Sequence, residues 1–300
     1  MRKVNLFVIG APKSGTTAIC DYLSGHPKLC FSEPKEPKYF HTDFSNRHRY
    51  ALNESDYQKC FKNLSEEHTV IAEGTVWYLY SAVAVKNILA YNPCAKFVVM
   101  LRDPVDLAYS LHSQLYYGGD EDEKDFAKAW RLQEQRGQGK NIPFKCRDAK
   151  SLQYGEIAKL GSQIRELLSV VDAKRVKFIV YDEFCNDPQS IYRELLEFVD
   201  LEYDDRVEFP RINENRSRRS GPLPLLMDMG KLAKNRLGIR RSLGLWRLLH
   251  PVLSHKEERP LLPERFRVEL QEYFADDLNL LSTLVGKDLS AWNQCKVIEE

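Results

Sequence analysis

The feature that most constrains this chain is a strand that runs straight into a glycine-bearing turn and then a helix. Val4 to Ile9 is a short apolar run with Asn5 inside it, and Gly10-Ala11-Pro12-Lys13-Ser14-Gly15 follows. From Thr16 to Ser24 apolar residues recur at Ile19, Tyr22 and Leu23 with helical spacing. Gly25, with Pro27 just beyond, is a helix stop. Strand, turn and helix N-terminus in that order make an anion cradle, because free N–H groups and the positive end of the helix dipole both favour a phosphate. Lys13 adds a full charge, and Thr16 and Thr17 add hydroxyl donors. The plainer alternative is a tight turn with an ordinary threonine cap.

Strands and helices alternate beyond this point. Val70 to Ala72, Phe97 to Leu101 (FVVML) and Val176 to Tyr181 read as buried strands. Ala82 to Ala90, Val105 to Tyr116, Phe126 to Arg136, Ile157 to Val171 and Ser190 to Val199 read as helices, with Pro104 at a favourable first-turn position. The expected class is α/β, a three-layer α/β/α arrangement around a central, mostly parallel sheet, like that of P-loop proteins. In such sheets ligands bind beyond the carboxyl ends of the strands. Attention therefore falls on the loops after Ile9, Ala72, Leu101 and Tyr181.

Composition narrows the function classes. Hydrophobic residues make up 43% of the 300 and charged residues 29%, which excludes a mainly disordered chain. The net charge of +1 gives no global field pointing to nucleic acid. No apolar run approaches the length of a membrane-spanning helix. The seven cysteines are scattered, with no CxxC pair and no spacing suited to zinc, so neither a disulfide framework nor a metal site is expected. With no signal peptide legible at Met1-Arg2-Lys3, the expected location is cytoplasmic.

The turn is not a nucleotide-triphosphate loop. In GxxxxGK[ST] the lysine follows the second glycine, whereas here Lys13 precedes Gly15. The strongest strand ends in Arg102, with Asp103 one residue later, and a cation there suits an anion better than a metal. Arg102 at a strand end and Ser110 on the next helix are placed to bracket a second phosphate, with the guanidinium making two parallel bonds. Alternatively, Arg102 pairs with Asp103 or Asp106. Two anion sites at adjacent strand ends suggest a ligand phosphorylated at two separated positions.

Residues 6–17, LFVIGAPKSGTT, resemble the 5′-phosphosulfate loop of sulfotransferases that use 3′-phosphoadenosine 5′-phosphosulfate (PAPS). Residues 97–110, FVVMLRDPVDLAYS, resemble their 3′-phosphate segment. Between them Lys35-Glu36-Pro37-Lys38-Tyr39-Phe40 resembles the KEPxFF-type segment of the bacterial and heparan-sulfate-like branch. Tyr181-Asp182-Glu183-Phe184 with Asp187-Pro188, and the late Gly-Lys-Asp-Leu-Ser-Ala-Trp, are also similar to this family.

The resemblance implies sulfuryl transfer from PAPS to a hydroxyl, or less often an amine, with 3′-phosphoadenosine 5′-phosphate (PAP) as product and no metal required. Lys13 would meet charge developing on the leaving phosphate, Ser14, Gly15, Thr16 and Thr17 would hold the 5′-phosphate, and Arg102 and Ser110 the 3′-phosphate. Glu36 maps onto the general base; the alternative for it is a solvated carboxylate paired with Lys35 or Lys38. His41 lies past the matching position. Lys38, Glu73 and Tyr116 are candidate contacts to a small-molecule, carbohydrate or glycolipid acceptor, with Glu73 expected to face the cleft and either to position the acceptor or to cap a loop. Heparan-type enzymes often carry Lys where Gly74 stands. Arg218, Arg219 and Ser220, within NENRSRRS, resemble a late loop that closes over the nucleotide.

One domain of 300 residues is expected, with a nucleotide-binding core over 1–212, a basic lid or loop region over 213–260, and a C-terminal helix over 261–300. Residues 225–249 mix Leu, Met and Trp246 with basic residues and suit either a lid packed on the core or a helix on an anionic membrane surface. The competing functional readings are a nucleotide kinase or triphosphatase with an atypical loop, whose magnesium carboxylate would be Glu73 or Asp103, and a non-catalytic nucleotide-binding module.

Overall fold

The computed structural model describes residues 2–210 and 260–293, and the backbone alone at 217–218 and 254–255. The chain divides into two compact units, Met1–Pro210 with Leu262–Glu300, and Arg211–Leu261. In the second unit the described residues form one antiparallel pair, Ser217–Arg218 with Ser254–His255. Residues 225–249, Arg219, Ser220 and the side chain of Arg218 lie outside the described residues.

The first unit is built on five parallel strands: β1 (Leu6–Gly10), β2 (Leu29–Phe31), β3 (Val70–Glu73), β4 (Lys96–Leu101) and β5 (Val176–Val180). Their order is β2-β3-β1-β4-β5, and every pairing in this sheet is parallel. Phe7 pairs with Glu73 on one side and Phe97 on the other, and Phe97 in turn pairs with Val176. β1 and β3 are buried along their whole length, as a strand covered on both faces must be.

The helices are α1 (Thr16–Ser24), α2 (Glu54–Gln58), α3 (Ala84–Tyr91), α4 (Pro104–Gly118), α5 (Phe126–Arg131), α6 (Gln133–Gly137), α7 (Tyr154–Ala158), α8 (Leu160–Val170), α9 (Tyr181–Asn186), α10 (Pro188–Phe198) and α11 (Glu264–Val285). α1 packs on β1, β2 and α10, whereas α11 lies across α8 and α4. The expected α/β/α fold is the fold observed.

Five elements differ from the sequence reading. β2 and α2 are too short to leave a periodic signal. The helix expected over 126–136 is two, because the chain turns at Leu132, which closes α5 and opens α6. The helix expected over 157–171 starts afresh at Leu160. Asp277 of α11 accepts from the backbone N–H of Gly161 and of Ser162, both at 2.8 Å, and so caps α8 from a remote part of the chain. Tyr181 ends no strand; it opens α9.

Candidate active site

The sheet order reverses between β1 and β4, and the loops beyond their carboxyl ends meet there, where a doubly wound sheet takes its ligand. Gly15 is the residue before α1 and has φ of 82°, a left-handed conformation that glycine adopts without a Cβ penalty. A Cβ on Gly15 would also stand 3.1 Å from the Tyr181 ring. No side chain caps α1, so its first-turn N–H groups are not taken up that way. Ser14 and Thr16 are buried and Thr17 is half-buried.

The second helix that follows a central strand is different. Asp103 caps α4, accepting from Val105 N–H at 2.8 Å and Asp106 N–H at 3.4 Å. Its donors are therefore occupied, and an anion near this strand end must be held by a side chain. Arg102 is the cation at this strand end. Its Nη1 donates to the Lys13 carbonyl oxygen at 2.5 Å, and its guanidinium lies 4.6 Å from the centroid of the Tyr181 ring.

The alternative pairing of Arg102 with Asp103 or Asp106 is not what the structure shows. Both carboxylates face Arg267 of α11, Asp103 at 3.6 Å and Asp106 in a short charged contact. Burial pushes the Asp103 carboxyl up, helped by the Asp106 charge and opposed by Arg267. Arg267 beside these carboxylates, and the Tyr181 ring against Arg102, are neighbours of the candidate site that the sequence does not assign to it. The apolar run makes Tyr181 look like the end of a strand, and nothing local links Arg267 to Arg102. Ser110 is buried on α4.

The segment 35–40 comes to the same place from β2. Lys35 Nζ donates to Thr16 Oγ1 at 3.2 Å and stands 3.7 Å from Glu36 Oε1. Glu36 Oε2 lies 3.6 Å from Lys38 Nζ, and the carboxylate keeps 27% of its side-chain exposure. Burial lowers the Lys38 ammonium pKa, with Glu36 opposing and Arg147 adding to the shift. Lys38 has φ of 55° and Lys13 φ of 62°, both in the left-handed region that non-glycine residues seldom occupy. Such conformations cost on the order of 1–3 kcal/mol and concentrate at functional sites.

Glu73 corrects the expectation of a cleft-facing carboxylate. It is fully buried and accepts from Tyr57 Oη at 2.9 Å, Tyr78 Oη at 3.2 Å and Thr75 Oγ1 at 2.7 Å. Those hydroxyls also reach the loop: Thr75 Oγ1 accepts from Lys38 N–H at 3.1 Å, and Tyr78 Oη from Tyr39 N–H at 3.0 Å. Glu73 therefore underpins the 38–40 backbone instead of touching a ligand. Burial pushes its carboxyl up to about 7 against the pull of these hydrogen bonds. Neither Glu73 nor Asp103 opens into the cradle to hold the magnesium that a kinase reading needs.

His41 is also buried, 3.3 Å from His48 Nδ1, and burial pushes its ring down to about 3. Tyr116 stands half-exposed on the last turn of α4, stacked on His112 at 6.4 Å. Arg147, bound to Asp120 through Nη2 at 2.6 Å, lies within electrostatic range of Glu36 and Lys38.

Among the described residues, no group of three His, Cys, Asp or Glu side chains is placed to hold a metal ion, and no helix is long and apolar enough to cross a membrane. The described cysteines, Cys20, Cys30, Cys60, Cys94, Cys146 and Cys185, are free thiols.

Residues 5–205 match the sequence model of a family described as the sulfotransferase family. The chain is 34% identical over 110 residues to the bifunctional heparan sulfate N-deacetylase/N-sulfotransferase 3 of Mus musculus, covering 36% of this chain and 13% of that protein. It is 32% identical over 108 residues to the membrane-associated sulfotransferase kil1 of Dictyostelium discoideum, covering 35% of this chain and 22% of that protein. The chain thus spans less than a quarter of the curated relatives it matches. A solved sulfotransferase from Alicyclobacillus acidocaldarius superimposes with a TM-score of 0.72 over 98% of this chain and all of that one, at 23% identity.

Proposed function

The chain belongs to the sulfotransferase family, and from that membership we propose that it transfers a sulfuryl group from PAPS to a hydroxyl, or less often an amine, of a carbohydrate, glycolipid or other small acceptor. The observation that carries this reading is the bridge made by Lys35. One ammonium spans the phosphate cradle, at Thr16, and the candidate base, Glu36. A nucleophile activated by Glu36 is thereby set beside a group seated on α1. The match to a heparan sulfate N-sulfotransferase supports a carbohydrate acceptor.

In this mechanism Ser14, Gly15, Thr16 and Thr17 hold the 5′-phosphate, through backbone N–H groups and hydroxyls at the positive end of α1. Arg102 and Ser110 hold the 3′-phosphate. The acceptor oxygen attacks sulfur in line. The bond from sulfur to the 5′-phosphate oxygen breaks, and its electron pair leaves with PAP. Lys13 stabilises that developing negative charge. The acceptor proton passes to Glu36, which must be ionised and within hydrogen-bond reach. Lys38 and Tyr116 line the acceptor side. Glu73 serves through Thr75 and Tyr78, by fixing the backbone that follows Glu36.

Calorimetric titration with PAP, and with ATP with and without magnesium, tests the donor assignment. Metal-independent binding of PAP with weak ATP binding is expected, and Lys13→Ala should weaken it. A preference for magnesium-ATP would overturn the assignment in favour of phosphoryl transfer.

A further inference from the structure

The second cation of this site is Lys35, and its position depends on a glycine in another loop. Gly74 follows β3. A Cβ built on Gly74 would lie 2.9 Å from Lys35 Cε and 2.7 Å from Cys20 Sγ. Both distances are shorter than real side chains tolerate, so the Lys35 stem occupies the space that any other residue at position 74 would fill. The stem is held there by the Lys35 carbonyl, which accepts from Gly74 N–H at 3.0 Å.

The end of that stem is poorly placed for a merely structural lysine. Its ammonium sits at Thr16, the first residue of α1, where the helix already presents its positive end. A cation at a helix N-terminus is repelled unless an anion joins it. Glu36 offsets part of this, but at 3.7 Å it lies beyond hydrogen-bond distance. Among the described residues the one acceptor within that distance is Thr16 Oγ1, and an ammonium carries three donors. The arrangement becomes favourable when a negatively charged group lying between α1 and Glu36, where the mechanism above puts the sulfuryl group, takes the remaining donors.

We propose that Lys35, seated over Gly74, binds the sulfuryl group of the donor, while Lys13 meets the phosphate it leaves. This rests on the donor reading above. It separates the labour of two lysines: Lys35 senses the group that moves, so its contribution appears with PAPS and disappears with PAP. A lysine that served only to tie the 35–40 segment to α1 would affect both nucleotides alike.

The test is calorimetric titration of PAPS and PAP, without acceptor, into wild type and variants. Lys35→Ala should weaken PAPS by about tenfold or more and PAP by less than about threefold, whereas Lys35→Arg keeps most of the PAPS affinity. Gly74→Ala in a Cys20→Ala background, where Lys35 is what the new Cβ meets, should reproduce the selective loss of PAPS. The same change added to Lys35→Ala should cost nothing more. Equal weakening of both nucleotides, or no change in either, overturns the proposal while leaving the donor reading intact. Failure of wild type to bind PAP at all overturns the donor reading and this proposal with it.

Discussion

Arg102 Nη1 donates to the carbonyl oxygen of Lys13 at 2.5 Å, so the residue that ends β4 grips the turn that follows β1. The two candidate phosphate subsites are thus joined by one hydrogen bond, and the Arg102 guanidinium lies over the Tyr181 ring, 4.6 Å from its centroid, while Arg267 occupies the neighbouring carboxylates. A point charge would not reproduce this position, because the planar guanidinium serves the carbonyl and the ring together and keeps further donors for an anion.

Arg102→Lys keeps the charge and removes the fork. PAP affinity measured by calorimetry should fall by about tenfold or more, equivalent to at least about 1.4 kcal/mol. Unchanged affinity would mean that the 3′-phosphate is held elsewhere.

Glu36→Gln preserves shape and the contact with Lys38 but cannot accept a proton. Turnover of PAPS with an accepted acceptor should fall by about 100-fold or more, the range of a lost general base. PAP binding should stay within about threefold. Parallel loss of both would assign Glu36 to donor binding.

Glu73 sets a pH dependence of stability. Its carboxyl is pushed from the ordinary 4.5 to about 7 by burial. The folded state therefore binds a proton more tightly than the unfolded chain does. The associated stability is fully present below about pH 4.5 and is lost as pH rises towards 7. One pKa unit corresponds to about 1.4 kcal/mol, so about 3 kcal/mol is the ceiling of this effect. Glu73→Gln should flatten urea-unfolding free energies across that window; an unchanged slope would place their origin in another group.

The pair Arg136 and Glu121 is buried, at 1% and 0% side-chain exposure, with Arg136 Nη2 donating to Glu121 Oε1 at 2.7 Å and Tyr154 Oη donating to the other oxygen. Arg136→Ala leaves a carboxylate buried without its cation. Chemical denaturation should show a loss of about 3–5 kcal/mol. Arg136→Met with Glu121→Leu should recover most of it, because two apolar groups leave no unpaired charge.

Some of this was legible in local chemistry. α1 begins and ends where Thr16 and Gly25 say, because the glycine turn and helix stop are decided within a few residues. The C-terminal helix was legible too, expected over 261–300 and found as α11 within it. Lys13, Glu36 and Arg102 stand out because each follows or flanks a readable motif. Glu73 shows the limit. Its place after an apolar strand is plain, but whether it faces ligand or core depends on where Tyr57, Thr75 and Tyr78 come to rest.

The residues alone determined the alternation of strand and helix, the glycine-bearing turn before α1 and the charge types at the strand ends, since each depends on backbone preference and neighbours in sequence. Only the tertiary structure decided the sheet order, the capping of α8 by Asp277, the diversion of Asp103 and Asp106 to Arg267, and the seating of Lys35 over Gly74. These are contacts between segments far apart in the chain. They exist because packing the sheet and its helices fixes which side chains meet, and no local pattern records that choice.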